Sequence, residues 1–488
     1  MTGKIAVHSI FIITCMLTIY LILRRPYLTI RLGKRNLNLE SYFLGALLGP
    51  LLIMGFGILD YHQVINGLKG GHGLNPCGIL ILFLSMVFMS IFLDITGFFE
   101  CCARFALKWA GSDGKRLFFA LYVVVSLLTI FTSNDIIILT LTPFIYYFAR
   151  NAHIDPKPYL IAEFFAANTW SMMLYIGNPT NILLAAAFGL HFDRYFKWMF
   201  FPTLAAGLVS VFLLFAIFRK SISRPITVSK EIDPFEALTD KPGAVLGLVL
   251  LGGCIFALAI APRLGVEMWV ISLAFALALL VILIVRDSSV AWLRRRQRMN
   301  GENMRGMEGK NGVEGKNGIE GKNGIEGKNR FTIGPTLAKM PWTVVPFVLS
   351  LFITVEALHF YGVTSEVGLF FKSVCGTSTA AYGLVYGISS ALSANFLNNI
   401  PMTVAFVSII RGLSGRNLLA AALATAAGSN LGANLTPIGA LAGIMWMSIL
   451  HTKDFHLSFK EFVYYGLLIT PLTLIACLGV LALELAVF

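Results

Sequence analysis

A chain of 488 residues that is 57% hydrophobic and only 13% charged has too little polar surface for a water-soluble globule. Its net charge of +13 is accompanied by no HExxH, no GxSxG and no phosphate loop, which excludes the common hydrolytic and nucleotide chemistries. The composition predicts an all-α polytopic membrane protein, with no enzymatic activity, no metal centre and no cofactor beyond a coupling ion, H+ or Na+.

In chain order, apolar runs long enough to span lie near 5–23, 41–59, 78–99, 159–187, 198–218, 244–261, 266–285, 343–360, 417–450 and 464–486. The first is expected to be an anchor rather than a cleaved signal, since its run is long and only Lys4 flanks it. Two more apolar stretches, 117–149 and 379–410, are broken by Ser133-Asn134-Asp135 and by Asn398-Asn399-Ile400-Pro401. Each is expected to enter the membrane, turn and leave on the same side, because turned backbone at membrane depth survives only against protein or water.

With the hairpins counted as non-crossing, the loops 24–40, 100–116, 150–158, 219–242, 286–342 and 451–463 share one side and hold 30 of the 38 Lys and Arg. The positive-inside rule makes that side cytoplasmic and both termini external. Anionic lipid then accounts for the basic charge better than nucleic acid does. The halves run in opposite senses, so the expected architecture is two inverted five-span repeats, each with a re-entrant hairpin and a broken helix, about ten spans in all. Residues 1–230 form the first repeat, 231–285 begin the second, 286–342 are a basic linker and 343–488 complete the second repeat. The linker carries Arg294, Arg295, Arg296 and Arg298, then hexads reading EGKNGV and EGKNGI (308–329) that have no apolar face and are expected to be disordered. The seven cysteines show neither metal-ligand spacing nor a disulfide framework. For the adjacent Cys101 and Cys102, packing is the ordinary role and binding of a thiophile the alternative.

The chain also repeats its polar words. SNDIIILTLTP (133–143) followed by AANTWSMMLYIGNPTNILLA (166–185) recurs loosely as ANFLNNIPMTVAF (394–406) followed by GSNLGANLTPIGALAGI (428–444). Asn134 and Asn398 are 264 residues apart, while Asn168 and Asn430, and Gly177 and Gly439, are 262 apart. Gly- and Pro-interrupted apolar segments at matching positions of two halves mark a carrier's solute site, where helix N-termini turn free N–H groups toward the gap. The first half supplies Ser133, Asn134 and Asp135 at the tip, with Asn168, Gly177, Asn178, Pro179, Thr180 and Asn181 at the break. The second supplies Asn398, Asn399 and Pro401 at the tip, with Asn430, Asn434, Thr436, Pro437 and Gly439 at the break. Carboxamides and hydroxyls suit hydroxylated solutes and alkali cations alike. Capping the broken helices is the plainer role of the same residues.

Asp135 is the one acid in either tip, and on this spacing its repeat partner is the neutral Asn399. A carboxylate at membrane depth is costly and points to a proton relay or a cation ligand. Glu163 is the second candidate for proton coupling. Asp94, Glu356 and His359 fit better as helix-end residues that reach toward the interface.

These words resemble the ion-transporter superfamily of arsenite permeases, sodium/proton antiporters and di- and tricarboxylate carriers. SNDIIILTLTP is similar to the arsenite-permease hairpin, and LGANLTPIGALAGIMWMSIL followed by HTKDFHLSFKEFVYYGLLITP resembles the same branch over a longer stretch. The first-half GNPTN is more similar to the broader anion and sodium/proton members. Carried over by position, Asn134, Asp135, Asn398, Asn399, Pro401, Thr436, Pro437 and Gly439 are the implied site residues. The resemblance implies a secondary transporter of elevator type, with proton-coupled efflux of arsenite, antimonite or a related inorganic ion. Sodium/proton antiport and citrate or dicarboxylate transport are the alternatives, and a channel is the rival from another class. An ionised Asp135 would repel a doubly charged substrate. The expected partners are a small inorganic ion or small anion and the lipid bilayer; a homodimer stays open. The expected location is the cell membrane.

Overall fold

The computed structural model describes residues 2–25, 27–32, 35–69, 75–223, 226, 233–308, 333–453 and 455–487, so the hexad repeat beyond Glu308 lies outside the described residues. The chain is helical almost throughout, since an apolar run in lipid must satisfy its own backbone groups. Among the described residues, seven helices are long and apolar enough to cross a membrane, including Pro76–Ile95, Phe192–Phe218 and Phe459–Val487. The count is eight if Val344–Phe360 and Val363–Cys375, bent by 70° at Tyr361-Gly362, are taken as one.

This is fewer than the ten expected spans, and the polar words are the reason. The 159–187 run becomes Lys157–Trp170 and Pro179–Ala187, and the 417–450 run becomes Gly415–Gly432 and Leu441–Thr452. The 41–59 run is only the 14-residue helix Tyr42–Gly55.

Two regions depart from the expected loops. Tyr27–Leu32 and Arg35–Glu40 pair as an antiparallel ribbon in which Leu28 faces Leu39 and Ile30 faces Leu37. Apolar residues at every second position of the sequence, Leu28, Ile30 and Leu32 and then Leu37 and Leu39, are strand patterning that a loop reading passes over. The helix beginning at Met268 does not stop at the predicted linker boundary and continues to Glu308. Residues 291–308 include five Arg and three Met, both good helix formers.

The order of elements from Pro76 is repeated from Val344: a long helix, a 13-residue amphipathic helix, two helices joined by a short break, a broken span and a long helix. The correspondence reaches the backbone. Phe98–Ala110 opens on Gly97 (φ 84°, ψ 11°) and closes on Gly111 (φ 59°, ψ −127°), and Val363–Cys375 opens on Gly362 (φ 76°, ψ 7°) and closes on Gly376 (φ 57°, ψ −125°). These positive φ values are where glycine is needed.

Both jointed helix pairs fold back on themselves. Gly114–Phe131 starts beside the helix that follows its partner Asn134–Asn151, with Tyr159 Oη donating to Gly114 O at 3.3 Å. Thr379–Leu397 likewise starts beside the helix that follows Asn399–Ile410, with Thr379 Oγ1 donating to Asn417 Oδ1 at 2.7 Å. A chain that leaves and returns to one place over two helices is a hairpin.

Contacts between loops and helix ends fall into two sets. One joins the basic loops to each other: Lys157 to Glu461 (2.7 Å), Tyr146 Oη to Lys453 O (2.6 Å), Arg286 to Asp240 (2.5 Å) and Thr343 Oγ1 to Glu40 (2.7 Å). The other joins Lys4 to Glu366 and Tyr361 Oη to Ile58 O (3.4 Å).

Candidate functional site

A cavity of about 520 Å³ lies where the first hairpin meets the helices Pro76–Ile95 and Leu441–Thr452. Its walls are mostly apolar, with Phe83, Val87 and Ile91 on one side and Leu441, Ile444 and Met445 on the other. The charged groups are three carboxylates, Glu40, Asp94 and Asp135, and one ammonium, Lys339. Among the predicted site residues only Ser133 and Asp135 line this space.

Ser133 and Asp135 are brought there by the way the return helix begins. Ser133 is extended (φ −142°, ψ 142°) and occupies the N-cap position of Asn134–Asn151, but its side chain makes no capping bond. Its buried Oγ has no partner among the described residues, although an N-cap serine ordinarily satisfies a helix N–H. Asp135 follows in the first turn, where the positive end of the helix favours a carboxylate. The charge acting on it is that of Glu40 across the cavity.

Behind the tip, the two breaks are tied to one another by asparagines. Asn134 Nδ2 donates to Asn168 Oδ1 (3.0 Å), and Asn168 Nδ2 donates to Asn434 Oδ1 (3.0 Å), which links the first hairpin to both broken spans. Asn430 forms the second knot. Its Oδ1 accepts from Ser171 Oγ (2.8 Å) and Asn178 Nδ2 (2.9 Å), and its Nδ2 donates to Asn181 Oδ1 (2.7 Å) and to Ala426 O (2.7 Å). All of these side chains are buried. Around Asn430 both ends of the carboxamide are bonded, and a buried polar group satisfied in this way fixes the arrangement of the backbone around it.

The breaks themselves have local causes. Asn178 caps Pro179–Ala187 through Thr180 N (3.1 Å), and Pro179 sits in the first turn, where its missing N–H costs nothing. A Cβ on Gly177 would come within 2.3 Å of Ser171 O, and one on Gly439 within 2.9 Å of Ala433 Cα. Each break therefore closes on itself at a glycine where no side chain fits. In the second half, Thr436 Oγ1 donates to Asn395 Oδ1 (2.6 Å), and Asn395 Nδ2 donates to Gly432 O (2.9 Å). Pro437 is buried against Gly443, whose own Cβ would meet Pro437 O at 2.4 Å.

The second tip is built differently from the first. The first hairpin turns over Thr132 and Ser133, whereas the second turns on the single residue Asn398, at φ 71° and ψ 154°. That conformation is one almost reserved for glycine. It is held by Asn398 Nδ2 donating to Ile438 O (3.1 Å) and by Asn399 N donating to Gly439 O (3.0 Å). Pro401 is buried in the following turn. The return helices begin at Asn134 and Asn399, which shifts the pairing by one residue. Asn134 corresponds to Asn399, and Asp135 corresponds to Ile400 rather than to Asn399. Asn134 Oδ1 and Asn399 Oδ1 are both buried with no partner among the described residues.

The other acids are distributed around this core. Glu163 is enclosed away from the cavity, accepting from Thr142 Oγ1 at 2.9 and 3.1 Å. Asp94 lines the cavity and binds Lys339 and Thr140. His359 Nδ1 meets Thr364 Oγ1 at 3.2 Å, and Glu356 acts electrostatically on Arg411. Cys101 is buried and Cys102 half-buried, both unbridged. Among the described residues no group of three or more His, Cys, Asp or Glu could hold a metal ion. Sequence reasoning missed Glu40, Lys339 and Thr140 at the cavity, and Ser171 and Asn395 in the breaks. Ser171 and Asn395 are polar residues inside apolar runs and carried a usable signal; Glu40 and Lys339 sat among other charges and carried none.

Comparison with known proteins agrees with this architecture. The chain is 25% identical over 412 residues to the arsenical pump membrane protein of Escherichia coli strain K12, covering 83% of this chain and 86% of that one. It is 25% identical over 441 residues to a putative arsenical pump membrane protein of Bacillus subtilis, covering 88% and 91%. The crystal structure of the Alcanivorax borkumensis YdaH transporter, described as having an unusual topology, shares the fold with a TM-score of 0.51 at 12% identity, over 99% of this chain and 98% of that one. A citrate transporter family model matches residues 41–415, so this multi-pass membrane protein is a transporter that belongs to the citrate transporter family.

Proposed function

We propose that the protein is a secondary active carrier that exports arsenite, antimonite or a related small inorganic solute in exchange for protons, with Asp135 as the coupling residue. The observation that carries this reading is the placement of Asp135 at a hairpin tip, facing a cavity whose other acidic and basic side chains are Glu40, Asp94 and Lys339, with the Tyr42 phenol beside them. Three carboxylates against one ammonium disfavour a tricarboxylate in that space, while a neutral hydroxide meets no such penalty. The names of the Escherichia coli and Bacillus subtilis relatives support the same solute class, whereas the family description names citrate.

Alternating access follows from the repeat. The repeated order of elements, the two hairpins and the two sets of loop contacts support two inverted copies that exchange conformations. In this reading the hairpin and the broken span of both halves move as a unit against the remaining spans, Thr2–Arg24, Tyr42–Gly55, Pro76–Ile95 and Val344–Phe360 among them. The asparagine knots at Asn168 and Asn430 hold that unit together as it moves. Solute enters the cavity from the side of Glu40 and Lys339, which the charge distribution of the loops makes cytoplasmic. Asp135 accepts a proton on one side and releases it on the other, and Ser133 supplies the other hydrogen-bonding side chain of the predicted set on the cavity wall.

The test is flux into proteoliposomes measured with arsenite, citrate and sodium in parallel, with and without an imposed pH gradient. Arsenite uptake driven by the pH gradient is the expected result. Citrate uptake that arsenite fails to inhibit would overturn the assignment of solute, and arsenite flux driven by sodium alone would overturn the assignment of coupling ion.

A further inference from the structure

We propose that Asp94 is a positioning residue that clasps the first hairpin in its present conformation. Its two oxygens are divided between two partners. Oδ1 accepts from Thr140 Oγ1 at 2.7 Å, and Oδ2 accepts from Lys339 Nζ at 2.8 Å. Thr140 stands in the return arm of the hairpin, two turns beyond the tip, while Lys339 belongs to the segment that leads into Val344–Phe360. That segment is itself fastened on both sides. Ile333 N donates to Asp287 Oδ2 (3.0 Å), and Thr343 Oγ1 donates to Glu40 Oε2 (2.7 Å).

The Asp94 side chain is only 13% exposed, so its charge depends on Lys339 for compensation. With Lys339 fixed on the frame, the carboxylate presents its other oxygen to the hairpin as a charged acceptor. A hydrogen bond to a charged group is stronger than one between neutral groups. Moving Thr140 away breaks that bond while Asp94 and Lys339 stay together, so the cost falls on the movement of the hairpin alone. The position matching Asp94 in the second repeat, also three residues before a positive-φ glycine, is His359; it reaches forward to Thr364 on its own side of the molecule.

This inference rests on the moving-hairpin reading above, and the experiment separates the two. Nitroxide labels at Met16→Cys on the frame and Leu127→Cys on the first hairpin arm, both exposed positions, report their separation by pulsed electron spin resonance in proteoliposomes. The accessible native Cys77 and Cys102 are replaced by serine. Thr140→Val removes the hydroxyl at nearly constant volume and leaves Asp94 paired with Lys339. It is expected to raise the second distance population relative to the first by about tenfold. Thr140→Ser, which restores the hydroxyl, is expected to match the parent distribution. Asp94→Ala combined with Thr140→Val is expected to shift the ratio no further than Asp94→Ala alone, because Thr140 then has no acceptor left to lose. Two populations that respond to arsenite or a pH gradient but ignore Thr140→Val would overturn the clasp and leave the moving hairpin standing. One fixed separation in every variant and condition would overturn both.

Discussion

The two hairpin tips hold matching places in a repeated order of elements, yet they face opposite circumstances. At the first, Ser133 and Asp135 border a cavity and the turn is spread over two residues, Thr132 and Ser133. At the second, Asn398 and Asn399 are buried against the backbone of Ile438 and Gly439, and the turn is forced through one left-handed residue. Each tip starts a helix, Asn134–Asn151 or Asn399–Ile410. One turn residue fewer at the second, and Ile400 where the first has Asp135, leave one tip with a carboxyl on the cavity wall and the other sealed and neutral.

The comparison is broken most severely at the knot that both halves share. Asn430→Ala leaves Ser171, Asn178 and Asn181 without their common partner, and each buried group left unpaired costs about 1–3 kcal/mol. Asn430→Ala should therefore abolish a monodisperse folded peak on size-exclusion chromatography, or lower the unfolding transition more than a substitution at either tip or at the break glycines does. Asn168→Ala, which breaks two bonds rather than four, should be milder. A smaller effect from Asn430 than from Asn168 would show that the second knot is not the tighter one.

Next come the glycines that close the breaks. Gly177→Ala brings a methyl group to 2.3 Å from a carbonyl oxygen, whereas Gly439→Ala brings it to 2.9 Å from a Cα. Overpacking of this kind costs about 1–3 kcal/mol, so Gly177→Ala should lower thermal stability more than Gly439→Ala. Equal effects would mean that the second break relaxes no more easily than the first.

Smallest are the tips. Asn398→Gly suits the backbone but gives up the bond to Ile438, so its net change should stay within about 1 kcal/mol. Asn398→Ala keeps the strain and loses the bond, and should cost about 1–3 kcal/mol. Ser133→Ala removes a hydroxyl that caps nothing and should change stability by less than about 0.5 kcal/mol. A large loss on Ser133→Ala would contradict the contrast between the two tips.

Much of this was legible in the sequence because lipid imposes a simple rule: polar and helix-breaking residues inside an apolar run must meet something. Asn134, Asn168, Asn178, Asn430 and Asn434 announced the breaks in this way, and the 262-residue spacing of Asn168 and Asn430 announced that the breaks come in a pair. The partners could not be read. Asn430 meets Ser171 across 259 positions, and nothing local records that distance. Glu40 and Lys339 were hidden because charges in basic loops look alike until the fold turns two of them into a cavity. The true counterpart of Asp135 was hidden by a one-residue difference in turn length, which sequence matching absorbs as a mismatch.

The central claim is that Asp135 couples transport to protons, and one preparation of Asp135→Asn tests it. Counterflow exchange of arsenite and uptake driven by a pH gradient are measured side by side in the same proteoliposomes. The account predicts that gradient-driven uptake is lost while exchange persists within about an order of magnitude of the parent, since a single hydrogen bond is worth about 0.5–1.5 kcal/mol. Gradient-driven uptake at the parental rate would contradict it and would move the coupling role to Glu163.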